Sequence, residues 1–237
     1  MLFRSALRGG AGLITLLAHE RDYDLLAMKV PSEIMVKPVK DYAEAMQGHD
    51  VIGIGPGLGA DHDQEVLDLL RTATQPVVVD ADALNVLARH GLPVFAGPRL
   101  LTPHPGEMAR LIAGRPEWQG LNRQAQAEAL AKAYGVTVLL KGARTVIATT
   151  DETTRFNTTG TPGMACGGMG DILTGLCAAL IAQGMSLHDA ASAGSWLIGR
   201  AAEVVIAAGG RSEEALSAVD VAEHLGQAFN ELKRGGP

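Results

Sequence analysis

The chain has 237 residues, 47% of them hydrophobic, with 26 acidic against 20 basic side chains and a formal charge of −6. That apolar share supplies a sizeable core, and the acidic balance excludes a nucleic-acid binder, whose phosphate contacts need clustered cations. No apolar run approaches the roughly 20 residues of a bilayer-spanning helix, and Cys166 and Cys177 form neither a disulfide framework nor a metal-ligand pattern. No linker, repeat or low-complexity stretch divides the sequence, so residues 1–237 are read as a single domain of a soluble, cytoplasmic protein with no membrane or nucleic-acid partner. The first ten residues contain Arg4 and Arg8 but neither the apolar core nor the cleavage site of a signal peptide.

Short β-branched and leucine runs alternate with amphipathic stretches, which predicts an α/β fold with a largely parallel sheet covered on both faces by helices. Strands are predicted at 13–17, 34–36 and 51–54. The third runs into GIGPGLG at 53–59, whose alternate glycines let a ligand lie close to the main chain. Pro56 and the missing G-x-G-x-x-G register leave a plain tight turn as the other reading. A helix at 63–72 then leads to a strand at 77–80 and the segment VVVDADALN. There Asp80 ends the strand, Asp82 is read chiefly as a cap of the helix at 83–89, and Asn85 points back over its first turn. Asp80 stays open between a structural acid and a group that organises a magnesium–phosphate centre through water. The strand at 100–102 ends in LTPHPGE, where two prolines restrict the backbone around His104 and aim its imidazole, a rigidity suited to ligand contact. Glu107 is either the first-turn acid of the helix at 106–112 or a magnesium group acting through water. The remaining histidines, His19, His49, His62, His90, His188 and His224, show no metal-ligand spacing and are read as surface or incidental.

Beyond a helix at 122–134, strands at 136–140 and 145–148 flank KGART, a turn with two cations that suits nucleotide phosphates or is an ordinary polar connection. Neither G-x-x-x-x-G-K-[ST] nor G-x-S-x-G occurs, which disfavours a P-loop and a hydrolase nucleophile elbow. After residue 150 the pattern changes to a short strand at 155–157 and three helices, at 170–183, 187–207 and 219–232. The middle one is apolar nearly all round and must be buried, within the chain or against another subunit. Before the first of them runs NTTGTPGMACGGMGD, residues 157–171. Gly167, Gly168 and Gly170 lack a Cβ, so successive N–H groups can converge on an anion at the positive end of the following helix. Asp171 is then either a helix cap or, beside a bound phosphate, the base of a phosphoryl transfer to a hydroxyl.

Taken together, GPGLG, VDADALN, TPHPGE, KGARTV and NTTGTPGMACGGMGD, in this order over about residues 9–232, resemble the ADP/ATP-dependent NAD(P)H-hydrate dehydratases of the ribokinase-like superfamily. The resemblance implies a three-layer α/β/α fold with a mostly parallel central sheet. It implies repair of the hydrated nicotinamide cofactor: ADP or ATP phosphorylates the C6 hydroxyl of the S epimer, and loss of phosphate restores NADH or NADPH. By the same resemblance Asp171 is the catalytic base and touches substrate together with Gly57 and His104. Lys141, Gly142, Ala143, Arg144, Thr145 and Gly170 face the nucleotide, and Gly168, Met169 and Gly170 form the anion hole. Mg2+ is the implied cofactor, no residue is expected as a direct metal ligand, and a homo-oligomer is expected. Members usually begin with a further strand, a glycine-rich turn and a helix, so the resemblance implies a sheet without its first strand unit and a chain that starts inside that helix. An epimerase domain, found in bifunctional relatives, has no room here. The alternatives are a ribokinase-like small-molecule kinase, against which TPHPGE argues, and a catalytically impaired nucleotide-binding relative.

Overall fold

The computed structural model describes residues 1–209 and 211–235. In chain order the elements are α1 (Leu2–Arg8), β1 (Thr15–His19), α2 (Tyr23–Ala27), β2 (Met35–Val39), β3 (Ile52–Ile54), α3 (Asp63–Thr72), β4 (Val77–Val79), α4 (Ala81–His90) and β5 (Arg99–Leu101). There follow α5 (Pro105–Leu111), α6 (Pro116–Gln119), α7 (Arg123–Tyr134), β6 (Thr137–Leu140), β7 (Val146–Ala148), β8 (Arg155–Phe156), α8 (Met169–Ala182), α9 (Leu187–Ala207) and α10 (Ala218–Lys233). Strands β3 to β8 make one six-stranded sheet in sequence order, parallel from β3 to β6 and antiparallel from there to β8.

The pleat sends alternate residues to opposite faces, and here both faces are apolar. Val77 and Val79 of β4, with Val138 and Leu140 of β6, join the core under α3, α4, α5 and α7. Val78, Leu100, Leu139 and Ile147 join the second core, under α8, α9 and α10. This is the three-layer arrangement the sequence predicts. The apolar helix α9 is buried within the chain, with Ala190, Leu197, Ala201 and Ala202 each 0% exposed. That accounts for its composition without a second subunit. No described helix is long and apolar enough to cross a membrane.

Two findings were not predicted. Strands β1 and β2 pair in parallel with each other but stand apart from the six-stranded sheet. A cleft of about 540 Å³ lies between them and β3, lined by Leu16, Ile52 and Ile54 and roofed by Leu2 and Phe3 of α1. Helices α2 and α6, five and four residues long, also went unpredicted because neither completes enough turns to show a periodic pattern.

Arg99 shows how the layers are joined. It is 1% exposed and donates to the carbonyls of Leu70, Ala73, Gln75 and Pro98, so a guanidinium caps the end of α3 where the helix is negative. Burial lowers its pKa to about 10.

Candidate active site

The carboxyl ends of β4, β5 and β6 meet the start of α8. Gly168 caps α8 in the left-handed region, φ 91°, a conformation that favours glycine. The first regular bond of the helix runs from the N–H of Ile172 to the carbonyl of Gly168. The N–H groups of Met169, Gly170 and Asp171 therefore have no acceptor inside the helix, and they sit at its positive end. Of the residues expected to form an anion hole, Met169 and Gly170 are among these, and Gly168 is the cap that precedes them.

Beneath it lies a buried charge network. Asp80 ends β4 with 1% exposure; its Oδ1 accepts from Lys141 Nζ at 2.7 Å and its Oδ2 from Thr174 Oγ1 at 2.9 Å. Lys141 also lies 3.7 Å from Glu107 Oε2. A Cβ on Gly170 would stand 3.1 Å from Asp80 Oδ2 and 3.3 Å from Lys141 Nζ, so the bare backbone there lets α8 settle on the ion pair. Ala81, next to Asp80, has φ 46°, a strain that a residue with a Cβ rarely carries.

Asp171 is placed differently from Asp80. It is half-buried in the first turn of α8, and among the described residues no side chain donates to its carboxylate. Burial pushes its pKa up and the nearby charge of Asp80 adds to this, while the N-terminal ammonium, Lys141 and a hydrogen bond from the residue's own backbone N–H pull the other way; the net shift is upward. An acid that no other side chain donates to and whose proton affinity is raised is suited to accept a proton from a bound hydroxyl.

His104 is a cap. Its Nδ1 accepts from the N–H groups of Gly106 (3.0 Å) and Glu107 (3.3 Å), while Glu107 Oε2 accepts from the His104 N–H at 2.7 Å. This reciprocal box at the start of α5 leaves Nε2, 3.4 Å from Glu107 Oε1, on a ring that is half exposed. Glu107 is thus both the first-turn acid and a neighbour of Lys141. Asp82 corrects the sequence reading: its Oδ2 accepts from Gly59 N–H at 2.9 Å and so ties down the glycine loop instead of capping α4. Asn85 likewise does not fold back but accepts from Arg110 Nε at 3.1 Å. In that loop Gly55, φ 122°, packs so tightly that a Cβ would stand 1.8 Å from the Asp80 carbonyl oxygen, whereas Gly57, φ 70°, has open space around it.

The turn Lys141–Gly142–Ala143–Arg144–Thr145 is clamped from α7. Arg123 donates to the carbonyls of Leu140 (3.2 Å), Lys141 (3.0 Å) and Ala143 (2.8 Å), and Thr145 Oγ1 closes onto Gly142 at 3.1 Å. Arg144, φ 54°, is exposed and makes no ion pair among the described residues. On the far side Asn157 and Thr159 bind α9, Asn157 donating to Ser195 O at 3.1 Å and Thr159 to Trp196 O at 3.0 Å. The buried Thr161 Oγ1 has no partner.

The structure thus brings Gly168, Met169, Gly170, Asp171 and Lys141 to one place, with Glu107 behind Lys141. Sequence reasoning missed Thr174 and Arg123. Thr174 carried a signal, since it stands three residues after Asp171 and hence one turn along the same helix face. Arg123 carried none, for its use depends on where the turn folds. Cys166 and Cys177 are both free, Cys177 fully buried with its thiol pushed up to about 12 by that burial.

The profile of the NAD(P)H-hydrate dehydratase family matches residues 1–223. The bifunctional NAD(P)H-hydrate repair enzyme Nnr of Moorella thermoacetica is 39% identical over 246 residues, which cover 97% of this chain and 46% of that protein. The chain thus spans about half the length of such relatives. The ADP/ATP-dependent NAD(P)H-hydrate dehydratase of Bacillus subtilis, co-crystallized with ATP/Mg2+ and soaked with CoA, superposes with a TM-score of 0.81 at 30% identity, covering 97% of this chain and 85% of its own. A hydroxyethylthiazole kinase of Pyrococcus horikoshii, 15% identical, covers 94% of this chain and 92% of its own with a TM-score of 0.65, which shows a shared fold alone. The fold is ribokinase-like, and with a profile match over residues 1–223 the chain belongs to the NAD(P)H-hydrate dehydratase family.

Proposed function

We propose that this chain dehydrates the S epimer of hydrated NADH or NADPH at the expense of ADP or ATP. The observation that carries the reading is Asp171, a half-buried acid that no side chain among the described residues donates to, in the first turn of a 14-residue helix whose leading amides have no helical acceptor. The terminal phosphoryl group of the nucleotide rests against the N–H groups of Gly168, Met169 and Gly170. Asp171 takes the proton of the substrate's C6 hydroxyl while that oxygen forms its bond to phosphorus and the bond from phosphorus to the nucleotide breaks. The hydroxyl has then become a phosphate ester, a far better leaving group. Loss of phosphate together with a proton from the adjacent carbon restores the ring double bond.

Gly57 and His104 serve as substrate contacts, Gly57 because its surroundings are open and His104 through its exposed Nε2 edge. Gly142, Ala143, Arg144 and Thr145 face the nucleotide, with Arg144 the cation available to phosphate; Lys141 acts from below, held by Asp80 and Glu107. Asp80 has both oxygens engaged and Glu107 is tied to His104, so neither suits direct coordination of Mg2+. Magnesium would enter with the nucleotide as the counter-ion of its phosphates. A cytoplasmic setting, supported by two free thiols, and self-association complete the proposal; sedimentation velocity tests the latter, and a mass equal to one chain would remove it.

Hydrated NADH is incubated with Mg2+ and ADP or ATP, and absorbance of reduced nicotinamide and released phosphate are followed together. Both are expected to rise in step. A stable phosphate ester with no recovered absorbance would make the protein a kinase, and no nucleotide consumption would make it an inactive binder. Asp171→Asn is expected to lower turnover at least about 10²-fold, within the usual range for a lost base, and to leave nucleotide affinity within a few-fold.

A further inference from the structure

Away from the site just described, three side chains that the sequence scatters meet at one point. His19 closes β1, His62 precedes α3, and Glu65 lies in the first turn of α3. Glu65 Oε1 is 3.2 Å from His62 Nδ1 and 3.6 Å from His19 Nε2, and one ligand atom from each residue lies within 4.8 Å of the others. Nitrogen and oxygen ligands bound at 2.0–2.2 Å to a tetrahedral zinc stand about 3.3–3.6 Å apart, so two of the three edges already have that length. The imidazole rings lie 5.0 Å apart, and Tyr42 packs edge-on against both. The Tyr42 N–H donates to Glu65 Oε2 at 3.1 Å, which fixes the carboxylate and leaves Oε1 toward the histidines. His62 is buried, while His19 and Glu65 are about a quarter exposed, which leaves an ion a way in.

Arg21, Asp22 and Asp61 are the other charged groups facing the cluster. Arg21 Nη2 lies 3.0 Å from His62 Nε2, and a guanidinium only donates, so Nε2 accepts and Nδ1 holds the proton given to Glu65. An ion on Nδ1 displaces that proton and makes Nε2 a donor, which obliges Arg21 to turn away. Arg21 is more than half exposed and already reaches Asp22 at 3.2 Å and Asp61 at 3.5 Å, so it has acceptors to turn to.

We propose that His19, His62 and Glu65 bind a divalent cation of the zinc class, with three protein ligands and an open fourth position, and that the bound ion fastens the β1–β2 pair to α3. Two imidazoles and one carboxylate suit zinc or cobalt and do not suit magnesium, which prefers oxygen ligands alone. The fastening has a physical use, since β1 and β2 share no ladder with the six-stranded sheet. It does not depend on the dehydratase reading, because none of its residues belongs to that site.

The test is titration of the full chain with Co2+, followed by its visible ligand-field absorption, then displacement by Zn2+. One equivalent is expected, without a thiolate charge-transfer band, and the thermal midpoint is expected to rise by about 5–10 °C at a free concentration about 100 times Kd. His19→Gln, at a partly exposed position, is expected to weaken binding on the order of 100-fold and abolish that rise while leaving the metal-free midpoint unchanged. Arg21→Gln is expected to tighten binding. Absence of binding at millimolar cobalt, equal affinity in His19→Gln, or loss of the signal in Cys166→Ser would each overturn the proposal.

Discussion

Asp171 and Asp80 are both acids near the start of α8, and their surroundings set them to different tasks. Asp80 has a cation and a hydroxyl on its oxygens, whereas Asp171 carries its charge half-buried with no side-chain donor. Because the folded-state pKa of Asp171 is raised, ionisation weakens the fold at pH above that value, and the penalty fades as pH falls through it. Asp171→Asn is therefore expected to melt higher than the parent at pH 7, with the gap closing on acidification; a lower midpoint at pH 7 would contradict the environment described. Lys141→Met leaves Asp80 buried without its cation and is expected to cost about 3–5 kcal/mol in denaturant unfolding, most of it recovered when Asp80→Asn is added. Loss of nucleotide binding in the single variant must be measured against that loss of stability. At this scale the sequence was readable where a residue acts through its own backbone or type. The glycines before Asp171 and the acid itself stand out in that way. It was unreadable where one atom chooses among several partners: Nδ1 of His104 spent on a cap, Asp82 reaching Gly59, and His19 and His62 meeting across 43 positions of chain.

Among the elements, the strands were legible because their composition leaves few options. Val77–Val79 is apolar on both faces, which only a strand covered twice can satisfy, and β4 occupies these three residues. Long helices were legible from period and punctuation, as with Asp63–Thr72 and Leu187–Ala207. Loops were legible as glycine-rich but silent about what they touch. The glycine loop after β3 illustrates this, since Gly55 is required by contact with the Asp80 carbonyl and Gly57 is not required by contact at all. Gly55→Ala is expected to cost about 2–4 kcal/mol from its positive φ and the clash together, and to displace Asp80. Gly57→Ala is expected to show the smaller strain of φ alone, so equal unfolding midpoints for the two would exclude the packing argument.

Across the whole molecule, stability is unevenly spread. Strands β4, β5, β6 and β7 are buried at every residue, while β1 and β2 are buried at one residue each and rest beside an apolar cleft. Native-state hydrogen exchange is expected to release the amides of β1 and β2 well before those of β4 to β6; simultaneous exchange would show one cooperative unit instead. That division was hidden in the sequence, where 13–17 and 34–36 look like any other strands of a parallel sheet, because strand partners are decided at long range. The Asp80 carboxylate has a further bearing on how such a protein changes over generations. It serves Lys141 from the end of β6 and Thr174 from α8 at once, so replacement of any one alters the worth of the other two. Tolerated substitutions at these three positions should then arrive in matched sets, as epistasis demands.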